Sequence, residues 1–178
     1  MRAQALAAAR RLIIDGSEQV LTMRAVADAA GVTYPNLSHH FGSASGLHAA
    51  IAEDLVRELL AGLRLMGQHV DPQQEDYRRI VDRVFDMFEH GLGSVLGWLV
   101  RSGETARLQP LNALLTEFIQ ERGGGADGRR IVRVALIISF AAYAESSVGA
   151  LLGDVFGVAP AARRRFFAEA LAALRHDP

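Results

Sequence analysis

The chain is 178 residues long, half of them hydrophobic, with 19 basic and 20 acidic side chains and a net charge of −1. That length fits one domain or two small ones, and the apolar fraction supports a sizeable core and argues against general disorder. Cysteine is absent, which excludes a disulfide scaffold, a thiolate metal site and a cysteine nucleophile and suits a reducing cytoplasm.

Residues 1–14 lack the apolar core and cleavage site of a secretory signal. No stretch alternates as a strand does. Apolar residues recur at three and four instead, so the expected class is all-α. Leu6, Ala9, Leu12 and Ile13 form the first stripe, ended by Asp15-Gly16. Val26, Ala27 and Ala30 form a second, stopped at Gly31, and Leu37 and Phe41 mark a third. A long stripe follows through Leu47, Ile51, Leu55, Leu59 and Leu63, broken at Asp71-Pro72. A fifth helix is predicted from about Gln73 to His90, closed by Gly91 and Gly93. Next come a short apolar piece around Val95 to Leu99, a helix around Leu111 to Ile119, and a Gly123-Gly124-Gly125 loop. The longest helix is predicted from about Asp127 to Leu152, and the last from Pro160. The apolar run Val134–Ala144 is 11 residues and ends at Glu145. It falls short of the ~20 a membrane span needs, so a buried helix and no membrane are expected.

The segment 22–41 reads as two short helices joined by a glycine turn, the helix-turn-helix unit. Thr22 is placed to cap the first helix, Gly31 to end it in the left-handed conformation, and Thr33 to cap the second, with Pro35 in its first turn. With Leu37 and Phe41 inward, Pro35 and His39 face out, flanked by Asn36 and Ser38. Asn36 suits an adenine edge and Tyr34 a thymine methyl or a phosphate. Ser38, His39 and His40 are phosphate donors, and Arg24 reaches a guanine or the backbone. Ser43 caps the next helix, and His40 has the plainer alternative of bonding a backbone carbonyl. Residues 1–47 carry a net charge of only +1, a light footprint for DNA.

The run Leu21 to Ala27, then Ala30-Gly31-Val32-Thr33, then Leu37, His40-Phe41-Gly42-Ser43 and Gly46-Leu47, resembles the N-terminal signature of the TetR family of transcriptional regulators. The likeness covers about residues 5–60. It implies a three-helix DNA-binding domain at 1–45 and a helical bundle at 46–178 that binds a small molecule and dimerises. It also implies a homodimeric, ligand-responsive repressor on a palindromic operator in double-stranded DNA, acting in the cytoplasm. Two positions depart from the family pattern: Ser38 stands where tyrosine is usual and Ala44 where lysine is usual, both phosphate contacts in the family. The alternative reading is a helical ligand- or protein-binding dimer with a weakened DNA reader.

For the subunit interface, the last two helices are the candidates. Ala142, Ser146, Gly149 and Ala150 allow close packing, and Phe166, Phe167, Leu171 and Leu174 supply bulk. Effector-pocket candidates are the aromatics Phe85, Phe88, Trp98, Phe118, Phe140 and Tyr143, with His90, Arg101 and Glu145 as orienting groups. Aromatics at helical spacing are equally core residues, and Glu145 has the alternatives of an ion pair with Arg130 or Arg133 or a dimer contact. The run Arg163-Arg164-Arg165 reads as solvated helix charge. No phosphate-binding glycine loop, nucleophile elbow or zinc helix is present, so neither an enzyme nor a cofactor or metal is expected.

Overall fold

The computed structural model describes residues 1–14, 21–67, 77–121 and 126–173, and every regular element among them is a helix. The predicted breaks at Asp15-Gly16, Asp71-Pro72 and Gly123-Gly124-Gly125, the start at Gln73, and Leu174 lie outside the described residues. In chain order the helices are α1 (Arg2–Ile14), α2 (Met23–Ala30), α3 (Tyr34–Phe41), α4 (Ala44–Gly67), α5 (Tyr77–Met87), α6 (Gly93–Arg101), α7 (Gln109–Glu121), α8 (Ala126–Phe156) and α9 (Pro160–Ala173). A kink through Phe88–Leu92, with non-helical backbone at His90 and Gly91 (φ 121°), joins α5 to α6, and a 3-10 turn, Thr105–Leu108, precedes α7. They form two compact units: Met1–Arg57 with His90–Leu114, and Glu58–Glu89 with Leu115–Pro178.

In the first unit α1, α2 and α3 pack on one another through small residues. Ala5, Ala8 and Ala9 of α1 and Val26 and Ala27 of α2 are buried, letting the backbones approach closely. The Gln4 amide donates to the Ala30 carbonyl at 2.7 Å, tying α1 to the end of α2. Leu37, Leu47, Ile51, Val95 and Leu99 complete this core.

In the second unit α5 packs against α8 and α9. Val81 and Phe85 of α5 and Phe88 just beyond it are buried with Ile138 and Ala142 of α8 and Ala168 and Leu171 of α9, and the Phe85 and Phe167 rings meet at 5.5 Å. The Arg163 guanidinium of α9 donates to both Glu145 carboxylate oxygens of α8, with side-chain exposures of 14% and 8%. Two glycines make room for that pair. A Cβ on Gly149 would stand 2.6 Å from the Glu145 Cδ, and one on Gly153 2.2 Å from an Arg163 Nη. Arg164 bonds Asp86 of α5 and Glu89 just beyond that helix at 2.6 and 2.8 Å and lies over the Phe85 ring. The expectation of solvated charge for this arginine run therefore fails for Arg163 and Arg164 and describes only Arg165, which is 65% exposed. The carboxylates that pair with the other two, Glu145, Asp86 and Glu89, come from other segments of the chain.

The apolar helix α8 is only partly covered within one chain. Gly128–Phe156 is long and apolar enough to cross a membrane by length and composition, yet only 17% of its most apolar stretch is buried. One stripe faces inward. The opposite face leaves Leu136, Phe140, Leu151 and Val155 open to solvent, with Phe166 of α9 also exposed.

Candidate nucleic-acid interface

The α2–turn–α3 segment is built from local capping. The Thr22 hydroxyl accepts from the Ala25 amide at 3.1 Å, and the Thr33 hydroxyl from the Asn36 amide at 3.4 Å. Between the helices Gly31 has φ +65°. Its amide donates to the Asp28 carbonyl and the Val32 amide to the Ala27 carbonyl, the paired bonds of a Schellman ending. Glycine takes that backbone without the Cβ clash other residues meet.

Eight residues of α3 span ~12 Å, which suits a major groove of about that width. Leu37 and Phe41 point inward, while Tyr34, Pro35, Asn36, His39 and His40 are exposed. Thr22, Arg24 and Thr33 are exposed beside them, and Ser38 and Ser43 are half-buried. The outer face of α3 carries no carboxylate to repel a phosphate.

At the end of α3 the chain reverses through Gly42, whose φ of 72° and ψ of −53° with the Ser43 amide bonded to the Phe41 carbonyl at 2.8 Å make a positive-φ γ-turn. Ser43 then caps α4 by accepting from the Gly46 amide at 3.2 Å. Gly46 is required by space: a Cβ there would stand 1.9 Å from the Phe41 carbonyl oxygen. Beside this turn opens a cleft of about 340 Å3, lined by Arg2, His40, Phe41, Gly46, Ala49, Ala50, Glu53, Arg107 and Pro110.

His48 carries a role the sequence did not suggest. It is buried, its Nδ1 is 2.7 Å from the Ala44 carbonyl oxygen, and its ring stacks on Trp98 at 4.0 Å. Burial pulls the imidazole below its ordinary pKa, and the bond to Ala44 opposes that shift. A position one residue beyond Leu47 on the inner side of α4 was the available signal. Among the described residues no group of three or more His, Asp or Glu side chains is disposed to hold a metal.

The effector candidates do not form one constellation within a unit. Trp98, His90 and Arg101 belong to the first unit, Trp98 in the His48 stack and the other two exposed. Phe85, Phe88 and Phe118 are buried core of the second. Phe140 is 73% exposed, Tyr143 meets the edge of Phe88, and Glu145 is taken up by Arg163 in place of Arg130 or Arg133. Of the interface candidates, Ala142, Gly149 and Leu171 are packed inside their own unit, Ser146 and Phe167 are half-buried, and Ala150 and Phe166 are exposed. Of the small α8 residues, Ala142 and Gly149 therefore serve packing within the unit, while Ala150 stays open.

Comparison with known proteins agrees with this geometry. Residues 5–51 match the family model described as bacterial regulatory proteins, tetR family. The HTH-type transcriptional activator FasR of Mycolicibacterium smegmatis is 33% identical over 89 residues, half of this chain and 41% of that protein. Among solved structures, Mycobacterium smegmatis BioQ superposes with a TM-score of 0.55 at 19% identity, covering 97% of this chain and 98% of that one, so it shares the fold.

Proposed function

We propose that this chain, whose residues 5–51 match the model of the tetR family of bacterial regulatory proteins, is a sequence-specific DNA-binding transcriptional regulator acting in the cytoplasm as a homodimer. The observation that carries this reading is the exposed, carboxylate-free face of α3, held by two capped helices around the Gly31 turn. Asn36 and Tyr34 read base edges, and Arg24 with the Thr22, Thr33, Ser38, Ser43, His39 and His40 donors engages sugar and phosphate.

One such reader covers only a few base pairs. Two related by a dyad read both halves of a palindrome, so half-site spacing joins the specificity. In this reading residues 1–45 read DNA and residues 46–178 dimerise and bind an effector. The open apolar face of α8 with Phe166 of α9 is the surface on which the second copy sits, because a contiguous exposed apolar patch of this kind marks an interaction site. An effector shifts DNA affinity only by favouring one spacing of the two readers over another. The named relative is an activator, while the sequence resemblance implies a repressor. The position of the operator relative to the promoter decides between them, and a promoter-fusion reporter reads the sign.

The test is titration of the purified protein against the DNA upstream of its own gene. Salt-dependent binding to an inverted repeat, weakened by Arg24→Ala and Asn36→Ala in a folded protein, supports the reading. Absence of any shift at low salt overturns it in favour of a helical dimer whose reader is worn down, the alternative that Ser38 and Ala44 motivate.

A further inference from the structure

The recognition helix α3, Ser38 included, carries no formal charge apart from its two histidines, and Ala44 at the start of α4 is uncharged. DNA affinity rests largely on neutralised phosphates. The cations must therefore come from the flanks of α3. Arg24, in the first turn of α2, supplies one.

At the other end of α3 the structure brings in a residue from far along the chain. Arg107 lies in the 3-10 turn Thr105–Leu108, within the same unit. Its guanidinium reaches the first turn of α4, with Nη1 3.7 Å from where a Gly46 Cβ would stand, and it lines the cleft together with His40 and Phe41, the last residues of α3. A helix that fills a groove about as wide as its own length sets its ends at the rim, where the phosphates run. Arg107 thus stands at that rim, 44% exposed. Its partner is Glu104, three residues back, at 3.0 Å and itself 41% exposed. Such an open surface pair is worth little, so the guanidinium exchanges it readily for a phosphate. Glu53, the carboxylate that shares the cleft, sits nine residues along α4, ~14 Å beyond its start, and engages Arg57.

We propose that Arg107 is a DNA-backbone contact supplied from outside the helix-turn-helix, engaging the phosphate at the α3–α4 end of the reader. This rests on the DNA-reading assignment above. It adds sequence-independent affinity and makes the connection between α6 and α7 part of the docking surface.

A duplex of random sequence, about 30 base pairs long, is a sufficient probe, because non-specific binding is almost wholly electrostatic. Affinity is measured by fluorescence anisotropy between about 25 and 200 mM salt for wild type, Arg107→Gln, Arg107→Lys and a charge-matched control, Arg57→Gln, which lies ~20 Å along α4 from Ala44. Arg107→Gln should weaken binding about tenfold at the lowest salt and flatten the plot of log K against log salt by about 0.9 per bound protomer. Arg107→Lys should keep the slope, and Arg57→Gln should change it far less. Unaltered circular dichroism melts establish that the variants fold. A wild-type slope in Arg107→Gln, or an equal loss in Arg57→Gln, overturns the assignment of Arg107 while leaving the DNA reader intact. Failure of the wild type to bind at the lowest salt overturns both.

Discussion

Replacing Gly46 by alanine tests the geometry that sets α3 against α4. The added Cβ would lie 1.9 Å from the Phe41 carbonyl oxygen and 3.1 Å from its carbon, so that carbonyl must retreat by about 1 Å to reach even a 3.0 Å contact. It cannot retreat freely, because it accepts the Ser43 amide across the Gly42 γ-turn at 2.8 Å. Alanine gains about 1 kcal/mol of helix propensity over glycine. Against this stand overpacking, at the upper end of about 1–3 kcal/mol because the struck atom is backbone, and weakening of the turn's hydrogen bond at about 1 kcal/mol. A net loss of ~2–3 kcal/mol follows, read as a lower urea midpoint at unchanged slope by circular dichroism. Gly62→Ala in the same helix is the comparison. There the new Cβ meets only the end of the movable Arg83 side chain, at 2.3 Å, so the propensity gain should survive. If Gly46→Ala is as stable as wild type, or matches Gly62→Ala, the close approach of Phe41 to α4 is not what fixes the turn.

Three further outcomes are expected. Because the folded His48 imidazole lies below its ordinary pKa of 6.5, the unfolded chain takes up that proton first. Its contribution to stability is complete above pH 6.5 and is lost as pH falls below that value. The urea midpoint should therefore drop between about pH 7.5 and 5.5, and drop less in His48→Phe; equal drops would refute the role. Glu145→Gln, which leaves a largely buried Arg163 without its carboxylate, should lower the urea midpoint clearly, whereas Arg165→Gln should leave it unchanged. Phe140→Arg, on the open face of α8, should give monomers by light scattering with helicity intact; a persistent dimer would place the interface elsewhere.

Local chemistry made the reader legible. A threonine cap bonds three residues ahead and a glycine ending closes within the same turn, so Thr22, Gly31 and Thr33 could be placed without tertiary information. The inward pair Leu37 and Phe41 followed from helical period alone. What escaped depended on partners distant in sequence. Arg164 looks solvated until Asp86 and Glu89, 78 and 75 residues earlier, are seen against it. Gly149 looks like a packing glycine and instead houses a carboxylate that waits for Arg163. His48 escaped because nothing near it in sequence announces Trp98. In α8 the composition was read correctly as apolar, but composition does not say which molecule covers the surface, and within one chain most of it stays open.

The chain holds a single tryptophan, and that indole rests against an imidazole inside the unit that carries the reader. Its emission is therefore a built-in gauge of that unit alone, whereas far-ultraviolet ellipticity sums over every helix. If the two signals trace one denaturation curve, the whole molecule melts as a single cooperative body. If they part, the tryptophan curve dates the collapse of the reader by itself, and compounds that stabilise it can be sorted by colour shift without attaching any dye.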